Sequence, residues 1–174
     1  MELWDVYDLD RNKLPGEMPR GNVYRPGEYH LVVHICVFGS DGRMLIQKRQ
    51  PFKQDFSGLW DITVGGSGVK GENSREAAHR ELFEEVGIDY DFTNVRPRFT
   101  VNGTHIFDDF YLIEKDVDET KLSLQYDEVE AVRWATEEEI LRMIDEKTFI
   151  PYEKSLIPLL FALRKHYGVH DYFK

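Results

Sequence analysis

Residues 29–38 (YHLVVHICVF) are apolar on both faces of an extended chain. Leu31, Val33, Ile35 and Val37 point to one side, and Val32, Cys36 and Phe38 to the other, which predicts a central strand covered on both sides. Gly39-Ser40-Asp41-Gly42 is a hairpin turn, and residues 43–49 return as its partner. Residues 59–64 predict a further strand that ends at a glycine loop. Ahead of these, residues 3–7 predict a short strand turning at Asp8–Lys13, and the Pro- and Gly-rich residues 14–28 read as an irregular connection. After the loop the period changes to that of a helix. Asn73 can cap it, Glu76 stands at the capping-box spacing, and Gly87 ends it. Ala78, Leu82 and Val86 form an apolar stripe, while Glu81, Glu84 and Glu85 fall on an adjacent arc that Ala77 is too small to cover. Strands are expected at 97–101, 105–115 and 129–135, and helices near 137–146 and 152–167, with Pro151 at the start of the last. Strands mixed with helices predict an α/β sandwich with a mixed sheet.

The chain has 174 residues and 41% hydrophobic content, enough for one domain spanning 1–174 with a real core. Its formal charge of −10 argues against gripping long nucleic acid, which needs Lys and Arg to neutralise phosphates. A small phosphorylated ligand is compatible, since it needs only a local site. The single Cys36 excludes an internal disulfide and fits a reducing cytoplasm. The charged N-terminus has no apolar core of a signal peptide, and no stretch approaches the ~20 apolar residues that span a membrane. Monomer and homodimer both stay open.

The chemistry concentrates in residues 66–88, GSGVKGENSREAAHRELFEEVGI. Like charges one helical turn apart repel, so the carboxylates on this helix require a compensating partner. A hard divalent cation with oxygen ligands is the natural one. The spacing is Gly66, five residues, Glu72, seven residues, then Arg80-Glu81-Leu82-Phe83-Glu84-Glu85-Val86-Gly87-Ile88. This pattern resembles the signature of the Nudix hydrolases at every fixed position. The resemblance implies an α/β/α sandwich and cleavage of a small diphosphate, nucleoside-linked or related, with Mg²⁺ or Mn²⁺. It implies that Glu84 and Glu85 are metal ligands, that Glu81 is a ligand or the base, that Glu72 orients the cluster, and that Arg80 pairs with a carboxylate. The Gly66 carbonyl can also reach a metal.

Residues 29–88 further resemble the isopentenyl diphosphate isomerase branch of that superfamily, through YHLVVHICVFGSDGRMLIQKR and GLWDITVGG. Arg49 and Lys53 match the isomerase's diphosphate-holding pair, and Trp60 matches its tryptophan. The isomerase centre is not matched. Its catalytic cysteine falls on Gly65, one metal histidine on Ser67 and another on Val23, although His30 matches the remaining one. A Glu-x-Glu pair is absent, with His105 near its place. Proton transfer on opposite faces of an alkene needs that acid/base set.

His30 and His34 share one strand face and read as core or edge histidines. Glu128, in Asp127-Glu128-Val129-Glu130, is the candidate for a late acid, against the alternative of a solvated turn. Tyr24, Phe52, Phe56 and Phe107 receive no assignment. The reading is a cytoplasmic, metal-dependent diphosphatase. Its rivals are an isopentenyl diphosphate isomerase and a catalytically weak binding or regulatory module.

Overall fold

The computed structural model describes residues 2–168 and residue 170. Its organising element is β3 (His30–Phe38), which pairs in parallel with β8 (Ile106–Glu114) along its whole length. β6 (Val64–Ser67) lies antiparallel on the first half of β3, whereas β4 (Met44–Arg49) pairs with β3 only at Phe38 and Met44. β4 then carries β5 (Trp60–Asp61) and β9 (Val129–Ala135), and β7 (Phe99–Asn102) lies on β8. The sheet is therefore mixed, as the pattern predicts.

Alternation along β3 sorts the two cores. Leu31, Val33, Ile35 and Val37 pack with Ala78, Leu82 and Val86 of α1 (Ser74–Val86). Cys36 and Phe38 pack on the opposite face with Ile140 of α2 (Glu137–Asp145) and Ile157, Leu160 and Phe161 of α3 (Leu156–Leu163). Helices on both faces make an α/β/α sandwich.

Three elements depart from the sequence reading. The strand expected at 59–64 is split into β5 and β6, because the chain leaves β4 at Ile62-Thr63 and joins β3. Thr63 fills the gap between the diverging strands. The Val37 N–H donates to its hydroxyl at 2.9 Å, and that hydroxyl donates to the Leu45 carbonyl. The helix expected at 152–167 is the shorter α3, and Pro151 lies outside it. Residues 148–152 stay extended because Trp60 N–H donates to the Thr148 carbonyl, Ile150 N–H donates to the Trp60 carbonyl, and the Tyr152 hydroxyl donates to the buried Asp61. In the N-terminal region only Leu3–Trp4 of 3–7 form a strand, β1, and the stretch expected to be irregular contains its partner β2 (Met18–Pro19).

This N-terminal hairpin is firmly seated. Trp4 stacks on His30 at 4.3 Å, and Lys70 N–H donates to the Leu3 carbonyl. Arg11, at φ +61°, forms a two-pronged pair with buried Asp109 at 3.0 and 2.8 Å. Ser74 and Thr100 hydroxyls complete that carboxylate's hydrogen bonds.

Thr63→Val keeps the volume at residue 63 and strands a buried N–H and a buried carbonyl. Urea unfolding should show a loss of about 2 kcal/mol or more. A loss under about 0.5 kcal/mol would mean the split strands do not depend on the hydroxyl.

Candidate active site

The start of α1 fixes the register of its acids. Asn73 Oδ1 accepts from the N–H groups of Arg75 and Glu76, and the Glu76 carboxylate accepts from Asn73 N–H, closing the capping box. Gly87, at φ +72°, ends the helix in the left-handed conformation. Between these limits Ala77, Ala78, Leu82 and Val86 are buried against the sheet, and Phe83 faces outward.

At Gly66 of β6 a Cβ would stand 2.2 Å from the Glu81 carboxyl group of α1. Only glycine lets this carboxylate lie on the strand backbone. Arg80 organises the acids around it. Its Nε and Nη2 donate to the two oxygens of Glu72 at 2.7 and 3.0 Å, and Nη2 also reaches the Ser67 carbonyl at 3.0 Å. Its Nη1 lies 2.9 Å from Glu81 and 3.1 Å from Glu84. Glu72, which also accepts the Val69 N–H, thus stands behind the guanidinium.

The three helical carboxylates occupy different surroundings, with side-chain exposures of 13% for Glu81 and 50% for Glu84, and Glu85 is 5% exposed as a residue. Burial pushes the Glu81 carboxyl up to about 6, Arg80 opposes this, and the Glu84 and Glu2 charges add to it. Burial and then the Glu81 charge push Glu85 well above the carboxylate range, while the Gln47 amide, donating to Oε2 at 3.0 Å, pulls it back.

These groups line a cleft of about 190 Å³ with Gly65, Gly66 and Ser67 on one wall and Gln125 and Glu128 on another. Glu2 and Arg20 of the N-terminal hairpin complete it. Glu128 is tied to Lys53 at 2.5 Å. Arg49 pairs across the sheet with Val129, and its Nε donates to the Asp55 carbonyl at 3.3 Å. The structure therefore places Arg49 and Lys53 at the rim beside Glu128, outside the cleft lining. Of the unassigned aromatics, Phe107 is core and Tyr24 stacks on His30 and His105, while Phe52 and Phe56 are exposed.

His30 is held by the Tyr24 hydroxyl at 2.6 Å and faces Ser67 Oγ at 3.3 Å, with burial depressing it to about 4. His34 lies 3.0 Å from Asp108, and a Cβ on Gly65 would stand 2.7 Å from its Nδ1. Both histidines are packed in the fold.

Five carboxylates line the cleft, those of Glu2, Glu81, Glu84, Glu85 and Glu128, and three of them, Glu81, Glu84 and Glu85, project from α1 beside the Gly66 backbone. Such donors suit a hard divalent cation. Among the described residues no three acidic, histidine or cysteine side chains converge on one point as they stand. Arg80 holds Glu81 and Glu84, and Gln47 holds Glu85, so a cation must draw them from these partners. Glu2, Arg20, Gln47 and Gln125 escaped the sequence reading. Only Gln47 carried a signal: it shares the inward face of its strand with buried Leu45.

Residues 28–160 match the NUDIX domain. The chain belongs to this family and is a Nudix hydrolase. It is 41% identical to an uncharacterized Nudix hydrolase of Listeria innocua, over 98% of this chain and 99% of that one. It is 34% identical to an isopentenyl-diphosphate Delta-isomerase of Pectobacterium atrosepticum, over 58% of this chain and 55% of the isomerase. The crystal structure of DR0079 from Deinococcus radiodurans shares the fold, with a TM-score of 0.73 at 23% identity over 91% of this chain and 97% of that one. No helix among the described residues is long and apolar enough to cross a membrane.

The raised carboxyls set a pH dependence. Folding favours their protonated forms, so without metal Glu81 contributes stability below the ordinary carboxylate value that is lost as pH rises toward 6. Near pH 7.5, metal-free Glu85→Gln should melt at or above the parent temperature. Mg²⁺ or Mn²⁺ should raise the parent's melting temperature and leave the variant's nearly unmoved. Equal metal shifts in both proteins would remove Glu85 from the ligand set.

Proposed function

We propose that this Nudix hydrolase cleaves the phosphoanhydride of a small diphosphate, a nucleoside diphosphate derivative or a related compound, with Mg²⁺ or Mn²⁺ held by Glu81, Glu84, Glu85 and the Gly66 carbonyl. The observation that carries this reading is the seating of Glu81 on Gly66, beside Glu85, in a cleft lined by polar side chains and glycine backbone. When bound, the metal neutralises diphosphate oxygens and acidifies a water. Glu72 braces Arg80, and Arg80 keeps Glu81 and Glu84 on the cleft face. Glu81, seated on Gly66 next to the other helical acids, is either a ligand of that metal or the base that takes the proton of the attacking water. Glu128 is the second candidate for that task, and its bond to Lys53 holds it at the rim. Arg49 and Lys53 are assigned to an outer phosphate, Lys53 exchanging Glu128 for it.

The isomerase reading is disfavoured by the site itself. Gly65 and Ser67 carry no thiol or imidazole, and the only cysteine, Cys36, is buried on the opposite face of β3 from α1.

Phosphate release from a panel of nucleotide and isoprenoid diphosphates should require Mg²⁺ or Mn²⁺. Glu85→Gln should lower turnover by at least ~10²-fold. Parent-like turnover in that variant would sink the metal assignment. Incubation with isopentenyl diphosphate should yield no dimethylallyl product, and clear formation of it would restore the isomerase.

Lys53→Ala should raise KM with little change in kcat, and Arg49→Ala should affect both. Unchanged kcat/KM in both variants would return these bases to the plain surface.

A further inference from the structure

The N-terminal hairpin lies before residue 28, where the match to the NUDIX domain begins, yet it supplies one wall of the cleft. The cleft lining contains five carboxylates, Glu2, Glu81, Glu84, Glu85 and Glu128, and two guanidinium groups, Arg20 and Arg80. A dianionic ligand entering there meets a repulsive field, which a bound metal and a base with free donors would both offset. Arg80 is engaged by Glu72, Glu81, Glu84 and the Ser67 carbonyl. Lys53 is engaged by Glu128 at the rim.

Arg20 differs. Its Nη1 donates to Glu2 at 3.1 Å, and among the described residues its guanidinium makes no other hydrogen bond. Its side chain is 62% exposed, so the rest of the fork is open to solvent and ligand. Glu2 is itself fixed, accepting the Trp4 indole N–H at 2.6 Å. The backbone is held as well. Arg20 N–H donates to the Glu2 carbonyl at 3.0 Å, continuing the β1–β2 ladder. Gly71 N–H donates to Asp5, which docks the hairpin on the loop that precedes α1. The fork is therefore presented from a braced position beside the carboxylate cluster.

We propose that Arg20 binds a phosphate group of the substrate, as a residue delivered to the active site from outside the matched domain. This rests on the hydrolase reading above. A planar fork with unused donors suits phosphate oxygens, and Glu2 orients it without saturating it. The contact forms with ground-state and transition-state phosphate alike, so it acts on binding more than on the chemical step. The plain alternative is an exposed ion pair whose removal changes little.

Titration calorimetry with imidodiphosphate and Mg²⁺ reads this without turnover. Arg20→Ala should weaken imidodiphosphate binding about tenfold or more, the effect of losing a charged hydrogen bond. On the best panel substrate KM should rise by a similar factor, with kcat within about twofold of the parent. The Mg²⁺-induced rise in melting temperature should be retained, because Arg20 holds no metal ligand. Arg20→Lys should recover part of the binding, keeping the charge and losing the fork. Parent-like imidodiphosphate affinity in Arg20→Ala overturns the proposal and leaves the hydrolase reading standing. Loss of the Mg²⁺ shift in that variant also overturns it, by showing a structural role. A parent that neither binds imidodiphosphate nor hydrolyses any panel compound ends the hydrolase reading and this proposal with it.

Discussion

The cleft exists because one guanidinium stands among carboxylates that would otherwise repel. Arg80 grips Glu72 with two nitrogens and reaches Glu81 and Glu84 with the third. It thereby links the loop ahead of α1 to the exposed face of that helix. Its contact with the Ser67 carbonyl extends the link to β6. Glu85 lies outside this arrangement and relies on Gln47. The result is a graded set of acids: one exposed and paired, one buried and paired, one buried with only an amide beside it. Glu81 and Glu84 are thus met by Arg80 and Glu85 by Gln47, and none is left without a donor.

Much of this was readable because it is local. The capping box, the terminal glycine and the Ala78–Leu82–Val86 stripe are encoded within fifteen residues and need no tertiary partner to be recognised. The double-sided pattern of residues 31–38 likewise foretold a strand between two layers. What escaped depends on contacts distant in sequence. The split at Ile62-Thr63 follows from the divergence of β3 and β4, and residues 59–64 alone look continuous. The extended run at 148–152 is imposed by Trp60 and Asp61, which lie some ninety residues earlier. Glu2 and Arg20 could not be placed because nothing near them in sequence marks a site. Their position depends on Trp4 stacking on His30 and on Arg11 pairing with Asp109.

The likeness to the isomerase branch is physical as well as sequential. The segments that carry it form β3, β4, β5 and β6, the strands that frame the site. Where that branch needs thiol and imidazole, this chain has packed its space differently. Ser67 faces His30, and His30 is closed off by Trp4 and Tyr24. At those positions this chain carries Gly65 and Ser67, which pack against His34 and His30.

One further contact couples two positions of the sheet. The His34 ring lies so close to Gly65 that a methyl group there would stand 2.7 Å from Nδ1. A larger residue at position 65 is thus penalised while the imidazole remains, whatever chemistry it would bring. Position 34 has to shrink or turn aside for position 65 to grow. With a histidine filling that space, glycine is the residue that fits at 65. The two positions are sterically coupled across β3 and β6, so that neither can grow freely without the other yielding.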